Sequence, residues 1–482
     1  MIFNSIEFLI FFAVVFSLFY FVLKGKMKPQ NVLLLIASYA FYAWANWKIL
    51  PLLAVTTAVF YGLGLAIFDA KTEKSKTWFT ILGVVFGVGV LLYFKYFNFF
   101  ISSFKDLFEL FGLQTNLYTF KIIVPIGISF YTFRLLSYII DIHNEEIEPT
   151  CDIIVFATYV AFFPCILSGP IDRPAALIPQ LQSKREFDYP LAVDGVRQFL
   201  WGLFKKVVIA DNCAVYVTQV FENYQGQTGS TLLLAAVFYS FQLYTDFSGY
   251  TDMAIGVSKI LGFRVAKNFD YPFFAQNIAE FWRKWHISLT SWLTDYIFTP
   301  LNFMWRDWHK WGTILAIIIN FVICGLWHGA NWTFVLWGFY SGLLFIPLIL
   351  SGAMFKQNKI ETYKCGFPKP RVLLNILLTF GLFTIGMVIA RSDSIGQAFE
   401  YLGGMMNKNL LSMPLIINRT YYMMMIIFIM IIVEWMGRKN QFGLEKLGMT
   451  WKPVFRYAMY YAIVLLIVLF GGKEQVFIYF QF

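Results

Sequence analysis

Gly325-Leu326-Trp327-His328-Gly329-Ala330-Asn331-Trp332 lies inside Trp311 to Leu350, an apolar stretch that contains no Asp, Glu, Lys or Arg. Such a stretch is long enough for two membrane crossings at roughly twenty residues each. An ionisable side chain within it is costly to bury, so the default reading of His328 is a functional group in a protein-lined or watery cavity. These residues point to an all-α, polytopic integral membrane protein, and to an enzyme.

The rest of the chain agrees. Of its 482 residues, 59% are hydrophobic and only 14% charged, which excludes an ordinary soluble domain. Aromatic residues reach 20%, more than interfacial belts require, and suggest aromatic packing between helices or the wall of a substrate tunnel. The formal charge of +10 is spread through short loops rather than along one face or tail, so it reads as a topology signal and not as a nucleic-acid surface. The five cysteines are scattered without metal-ligand spacing, and no disulfide framework or metal site is expected. Ile2 to Leu23 lacks the basic start and small-residue cleavage site of a signal peptide, and reads as a retained first span.

Apolar runs predict spans near 5–23, 31–48, 50–68, 78–95, 122–140, 152–168, 196–215, 230–248, 311–327, 332–350, 372–390, 420–435 and 454–471. Basic clusters at Lys24/Lys26/Lys28, Lys71/Lys74/Lys76, Lys184/Arg185 and Lys356/Lys359/Lys369/Arg371 mark cytoplasmic loops. Both termini are then expected outside. Neither an internal repeat nor a linker divides the chain, so residues 1–482 are expected to form a single membrane domain. Residues 273–300 differ from a span, because Ile278, Phe281, Trp282, Trp285, Leu289, Trp292, Leu293 and Tyr296 recur at helical spacing with polar residues between them. This pattern predicts an amphipathic helix that lies in the interface or plugs a funnel, and it carries His286.

Four histidines occur, at 143, 286, 309 and 328. His143 and His309 stand in polar loops, whereas His286 and His328 each follow a tryptophan beside apolar sequence. Each of the latter pair is either a proton-transfer group or a buried packing imidazole. Asp246 and Asp252 suit structural pairing or capping better than catalysis, and Arg134 either binds a phosphate or compensates a carboxylate. Cys324 reads as a packing residue. Asn331 reads as an oxyanion donor or a helix-end partner.

Three segments together resemble the membrane-bound O-acyltransferase (MBOAT) family. They are Phe281-Trp282-Arg283-Lys284-Trp285-His286-Ile287-Ser288, Gly325-Leu326-Trp327-His328-Gly329-Ala330, and Tyr244-Thr245-Asp246-Phe247-Ser248-Gly249-Tyr250-Thr251-Asp252. Phe162-Phe163-Pro164, Ser168-Gly169-Pro170 and the ending Phe477-Ile478-Tyr479-Phe480-Gln481-Phe482 are similar to its bacterial alginate and peptidoglycan O-acetyltransferase branch.

The resemblance implies a helical bundle with a central tunnel and interfacial helices, in which acyl groups pass from a cytosolic thioester toward the other face. It implies His328 and His286 as catalytic residues. It further implies acetyl-CoA as acyl donor with no permanently bound cofactor, and a periplasmic or extracellular acetyltransferase partner that serves a peptidoglycan or exopolysaccharide acceptor. A bacterial cytoplasmic (inner) membrane follows. Arg283 and Lys284 either meet the donor's phosphates or edge an interfacial helix.

Tyr479 carries the only hydroxyl of a tail too short to span. It is either an acyl relay activated by an imidazole or an interfacial aromatic anchor. A D-alanyl transfer protein of teichoic acid modification, a membrane transporter and a non-catalytic scaffold are the alternatives.

Overall fold

In the computed structural model all residues are described except 114–118, 121, 357, 358, 418, 473, 474, 476 and 479–482, and the side chain of Lys408. Twenty-one α-helices follow one another among these residues. The first eleven are α1 (Ile6–Ser17), α2 (Met27–Ala43), α3 (Leu50–Phe68), α4 (Glu73–Leu91), α5 (Phe97–Leu110), α6 (Ile128–His143), α7 (Ile153–Ala161), α8 (Pro174–Leu181), α9 (Tyr189–Phe204), α10 (Asp211–Glu222) and α11 (Gly229–Ile260). The remainder are α12 (Ile278–Lys284), α13 (Ile287–Leu293), α14 (Thr299–Met304), α15 (His309–His328), α16 (Trp332–Leu343), α17 (Ile346–Leu350), α18 (Pro370–Arg391), α19 (Ile395–Met405), α20 (Thr420–Gly437) and α21 (Pro453–Phe470). Seven helical runs are long and apolar enough to cross a membrane: Trp47–Phe68, Glu73–Leu110, Arg306–His328, Trp332–Leu350, Pro370–Arg391, Thr420–Gly437 and Pro453–Phe470. Their outer faces carry exposed Leu, Ile, Val and Phe, the surface a lipid solvent selects.

The helices group into two compact units, Met1–Val196 with Ala254–Ala266, and Arg197–Met253 with Lys267–Phe482. In the first unit the expected span 152–168 is corrected. Helix α7 has only nine residues, about 14 Å at the α-helical rise against ~30 Å of hydrocarbon. Residues 162–172 continue as buried irregular chain. Arg134 makes this possible: its guanidinium donates to the carbonyls of Tyr159 (3.3 Å) and Pro170 (2.9 Å) and lies 3.7 Å from the Asp172 carboxylate. The carboxylate-compensating reading of Arg134 therefore holds.

Arg185, from the Lys184/Arg185 basic cluster, is buried, donating to Asn31 Oδ1 (2.5 Å) and packing over the Phe19 and Phe263 rings.

The second unit holds the motif residues. The predicted single helix over 273–300 is broken into α12, α13, a π-helical turn at Thr294–Phe298 and α14. The apolar positions Ile278, Phe281, Trp282, Trp285, Leu289, Trp292 and Leu293 are nonetheless all buried.

Candidate active site

His328 is the last residue of α15, at the closed end of the α15–α16 hairpin rather than midway along a span. Glycines let these helices touch backbone to backbone. A Cβ at Gly325 would lie 2.1 Å from the Phe334 carbonyl oxygen, and one at Gly338 would lie 2.2 Å from that of Phe321. Asn331 caps α16 by accepting from the Thr333 N–H (3.1 Å) and donates to the Asp393 carbonyl (3.3 Å), which is the helix-end role. The half-buried His328 ring is thereby held edge-on to Trp327 (centroids 4.9 Å apart) and Trp337 (5.1 Å).

His286 arrives from the break between α12 and α13, with φ 45° and ψ 53°. A left-handed conformation at a non-glycine residue costs ~1–3 kcal/mol and persists only where surroundings enforce it. Here Asn268 does so, accepting from the Ile287 N–H at its carbonyl (2.8 Å) and from Ser288 Oγ at its side chain (2.9 Å). The His286 ring is 1% exposed, edge-on to Phe247 at 4.6 Å, and its centroid lies 6.3 Å from that of His328. Burial, and then the neighbouring His328, push its imidazole well below the usual histidine range, so it is neutral at physiological pH. The structure thus brings together the two histidines singled out from the sequence.

Two cavities are lined by chain neighbours of this pair. One, of about 420 Å³, is walled by residues including Trp282, Arg283, Ile287, Asn320, Cys324 and Met354. The other, of about 430 Å³, is walled by residues including Gly329, Asn331, Thr333, Arg391, Gln475 and Ile478. Ile287 follows His286 and Gly329 follows His328, while Cys324 lies four residues, or ~6 Å of helical rise, before His328 on α15. The first cavity adjoins Met354 and Phe355, next to the basic Lys356 loop; the second adjoins the far end of α18, from Ala390 to Asp393. Cys324 is a buried wall residue of the first.

Arg283 is exposed at the rim of the first cavity and donates to the Met354 carbonyl (3.0 Å), whereas Lys284 is ion-paired with Glu280 (2.9 Å). Tyr479 lies outside the described residues. Among the described residues no group of three or more His, Cys, Asp or Glu is arranged to hold a metal ion.

Two lysines escaped the sequence reading although they sit in the apolar run 196–215. Buried Lys205 pairs with Asp252 (2.7 Å), and buried Lys206 with both Asp246 (2.7 Å) and Asp211 (2.8 Å). These contacts give Asp246 and Asp252 the structural role expected of them, with lysine in place of arginine. Glu434, also unforeseen, is buried and accepts from the Tyr244 hydroxyl (2.9 Å). The rule that singled out His328, an ionisable residue in an apolar run, would have found the two lysines.

Comparison with known proteins matches residues 39–389 to the model of the MBOAT, membrane-bound O-acyltransferase family. The chain is 40% identical to probable alginate O-acetylase AlgI of Pseudomonas aeruginosa over 83% of its length and 74% of that protein. It is 29% identical to the peptidoglycan O-acetyltransferase of Helicobacter pylori over 100% of its length and 98% of that protein. Similarity to the teichoic acid D-alanyltransferase of Bacillus subtilis, at 30% identity, covers 55% of the chain and 68% of that protein. With the rings of buried His286 and half-buried His328 6.3 Å apart, on a scaffold of membrane-crossing helices, the chain belongs to the membrane-bound O-acyltransferase family and is a multi-pass membrane O-acyltransferase.

Proposed function

We propose that this enzyme takes an acetyl group from cytosolic acetyl-CoA and passes it across the bacterial cytoplasmic membrane for O-acetylation of a cell-envelope glycan. The observation that carries the reading is the pair of cavities lined by Ile287 and by Gly329, the chain neighbours of His286 and His328. The positive-inside rule turns the Lys356 end toward the cytoplasm, so the Trp282–Cys324 cavity receives the thioester and the Gly329–Asn331 cavity receives the acceptor hydroxyl. Arg283, at the donor rim, meets the phosphates of coenzyme A; Lys284 contributes less because Glu280 already compensates it.

In the reaction a hydroxyl oxygen attacks the thioester carbonyl while a neutral imidazole, assigned to His328, accepts its proton. The C–S bond then breaks, and the departing thiolate takes up a proton. Low dielectric around the rings favours the neutral base that this step requires. The acceptor hydroxyl is that of Tyr479, one residue beyond Ile478 in the wall of the outer cavity, from which a periplasmic or extracellular acetyltransferase partner relays the group to the peptidoglycan or exopolysaccharide. The long matches to the alginate and peptidoglycan proteins support acetyl over D-alanyl transfer.

Incubation of the protein in nanodiscs with acetyl-CoA labelled in the acetyl group, followed by mass spectrometry of the C-terminal peptide, tests this directly. Label on Tyr479 that falls ~10²–10⁴-fold in rate in His328→Ala is expected for loss of a general base. Near-normal labelling in His328→Ala removes that assignment. Unaltered transfer to the glycan by Tyr479→Phe removes the relay.

A further inference from the structure

A buried ionic cluster in the second unit is completed by the C-terminal tail. The Lys206 ammonium faces two carboxylates, Asp211 and Asp246, at 2.8 and 2.7 Å. Lys206 and Asp246 are 5% and 3% exposed. Two carboxylates therefore face one largely buried ammonium, and a further donor at the buried Asp246 is favourable. The tail supplies one: the Ile478 N–H donates to Asp246 Oδ2 at 2.8 Å, while Lys206 Nζ donates to the Gln475 carbonyl at 3.3 Å. Between these two anchors Phe477 is buried against Tyr250 (4.8 Å) and Phe247 (6.3 Å), and Phe247 is the ring that meets His286 edge-on. Backbone bonds at 475 and 478 with a ring seated between them fix the register of the tail, since a shift of one residue breaks both bonds and unseats the ring.

We propose that Lys206 and Asp246 are positioning residues that clamp the tail, through Gln475 and Ile478, against the outer cavity. The assignment rests on the acyl-relay reading for its catalytic consequence, but the clamp itself is a separate physical claim. Neither lysine nor aspartate touches the reacting atoms in this scheme. Their loss lowers turnover and leaves donor binding at the opposite cavity unchanged.

Hydrogen–deuterium exchange on the full-length protein in nanodiscs, paired with acetyl-transfer kinetics, tests it. In Asp246→Asn the charge-assisted part of one bond is lost, and exchange of the C-terminal peptide is expected to rise about tenfold. Peptides of α9 to α11 should exchange as in the unaltered protein, kcat should fall, and the KM for acetyl-CoA should hold. The double variant Lys206→Met with Asp246→Leu removes the two buried charges together and leaves only the half-buried Asp211, and it should release the tail further. Slow tail exchange in both variants, or an equal rise throughout α9 to α11, overturns the clamp in favour of a purely structural ion pair. Tail release in Asp246→Asn together with full transfer by Tyr479→Phe keeps the clamp and removes only the relay.

Discussion

Substitution of Gly325 by alanine places the hairpin geometry under direct test. The added Cβ would stand 2.1 Å from the Phe334 carbonyl oxygen, 3.0 Å from its carbon and 3.3 Å from Gly338 Cα. Nonbonded carbon contacts are comfortable only from about 3.5 Å, so the α16 backbone must retreat by roughly 1 Å or more. Backbone has no alternative rotamer to offer, and overpacking of this kind costs ~1–3 kcal/mol. Helix α16 carries Trp337, which holds His328 edge-on at 5.1 Å. A displacement near 1 Å at reacting groups costs ~10²-fold in rate. We therefore expect Gly325→Ala to lower the thermal unfolding midpoint in detergent and to reduce kcat for acetyl transfer about a hundredfold, read from initial rates across donor concentrations. Gly381→Ala is the control: its site in α18 is exposed and meets nothing within 4 Å, and alanine there should be neutral or stabilising by ~0.5–1 kcal/mol. Unchanged kcat in Gly325→Ala would refute the argument from close approach, as would an equal loss in Gly381→Ala.

His286 gives a pH dependence of definite sign. Its folded pKa lies below the unfolded value of ~6.5, so the unfolded chain binds the extra proton, and the stability it contributes is complete above that value and lost as pH falls below it. Unfolding midpoints should drop between pH 6.5 and 5 with a contribution of up to ~1.4 kcal/mol per pH unit, and His286→Gln should flatten that slope. Reversal of charge at Arg283 and Lys284 together should raise the KM for acetyl-CoA and make donor binding less sensitive to salt, with kcat retained; unchanged donor kinetics would return Arg283 to a purely interfacial role.

How much was legible follows from what a sequence pattern records. Helical spacing identified the buried positions from Ile278 to Leu293 but missed the break at His286, because periodicity reports which side chains are buried and not the φ of the residue between two short helices. Apolar length misread 152–168 as a crossing for a related reason. An apolar run does not distinguish a helix, which satisfies its own carbonyls, from irregular chain that draws on a donor from elsewhere in the fold, as the Pro170 carbonyl does on Arg134. Family resemblance marked residues 286 and 328 both as catalytic, but nothing in the spacing of the two motifs encodes the 6.3 Å separation of their rings.

The same limit separates the two kinds of buried ionisable group in the second unit. Lysine in a low-dielectric interior needs a counter-charge, and Lys205 and Lys206 obtain theirs from α11, some forty residues along the chain, with Asp211 as a second partner for Lys206. Once paired, they are committed to holding structure, because moving a proton from either would strand a buried carboxylate. An imidazole can be buried neutral without a counter-ion, and for His286 burial itself is what keeps it so. The paired lysines and aspartates therefore fix position, which leaves proton transfer, under the proposed scheme, to the histidines.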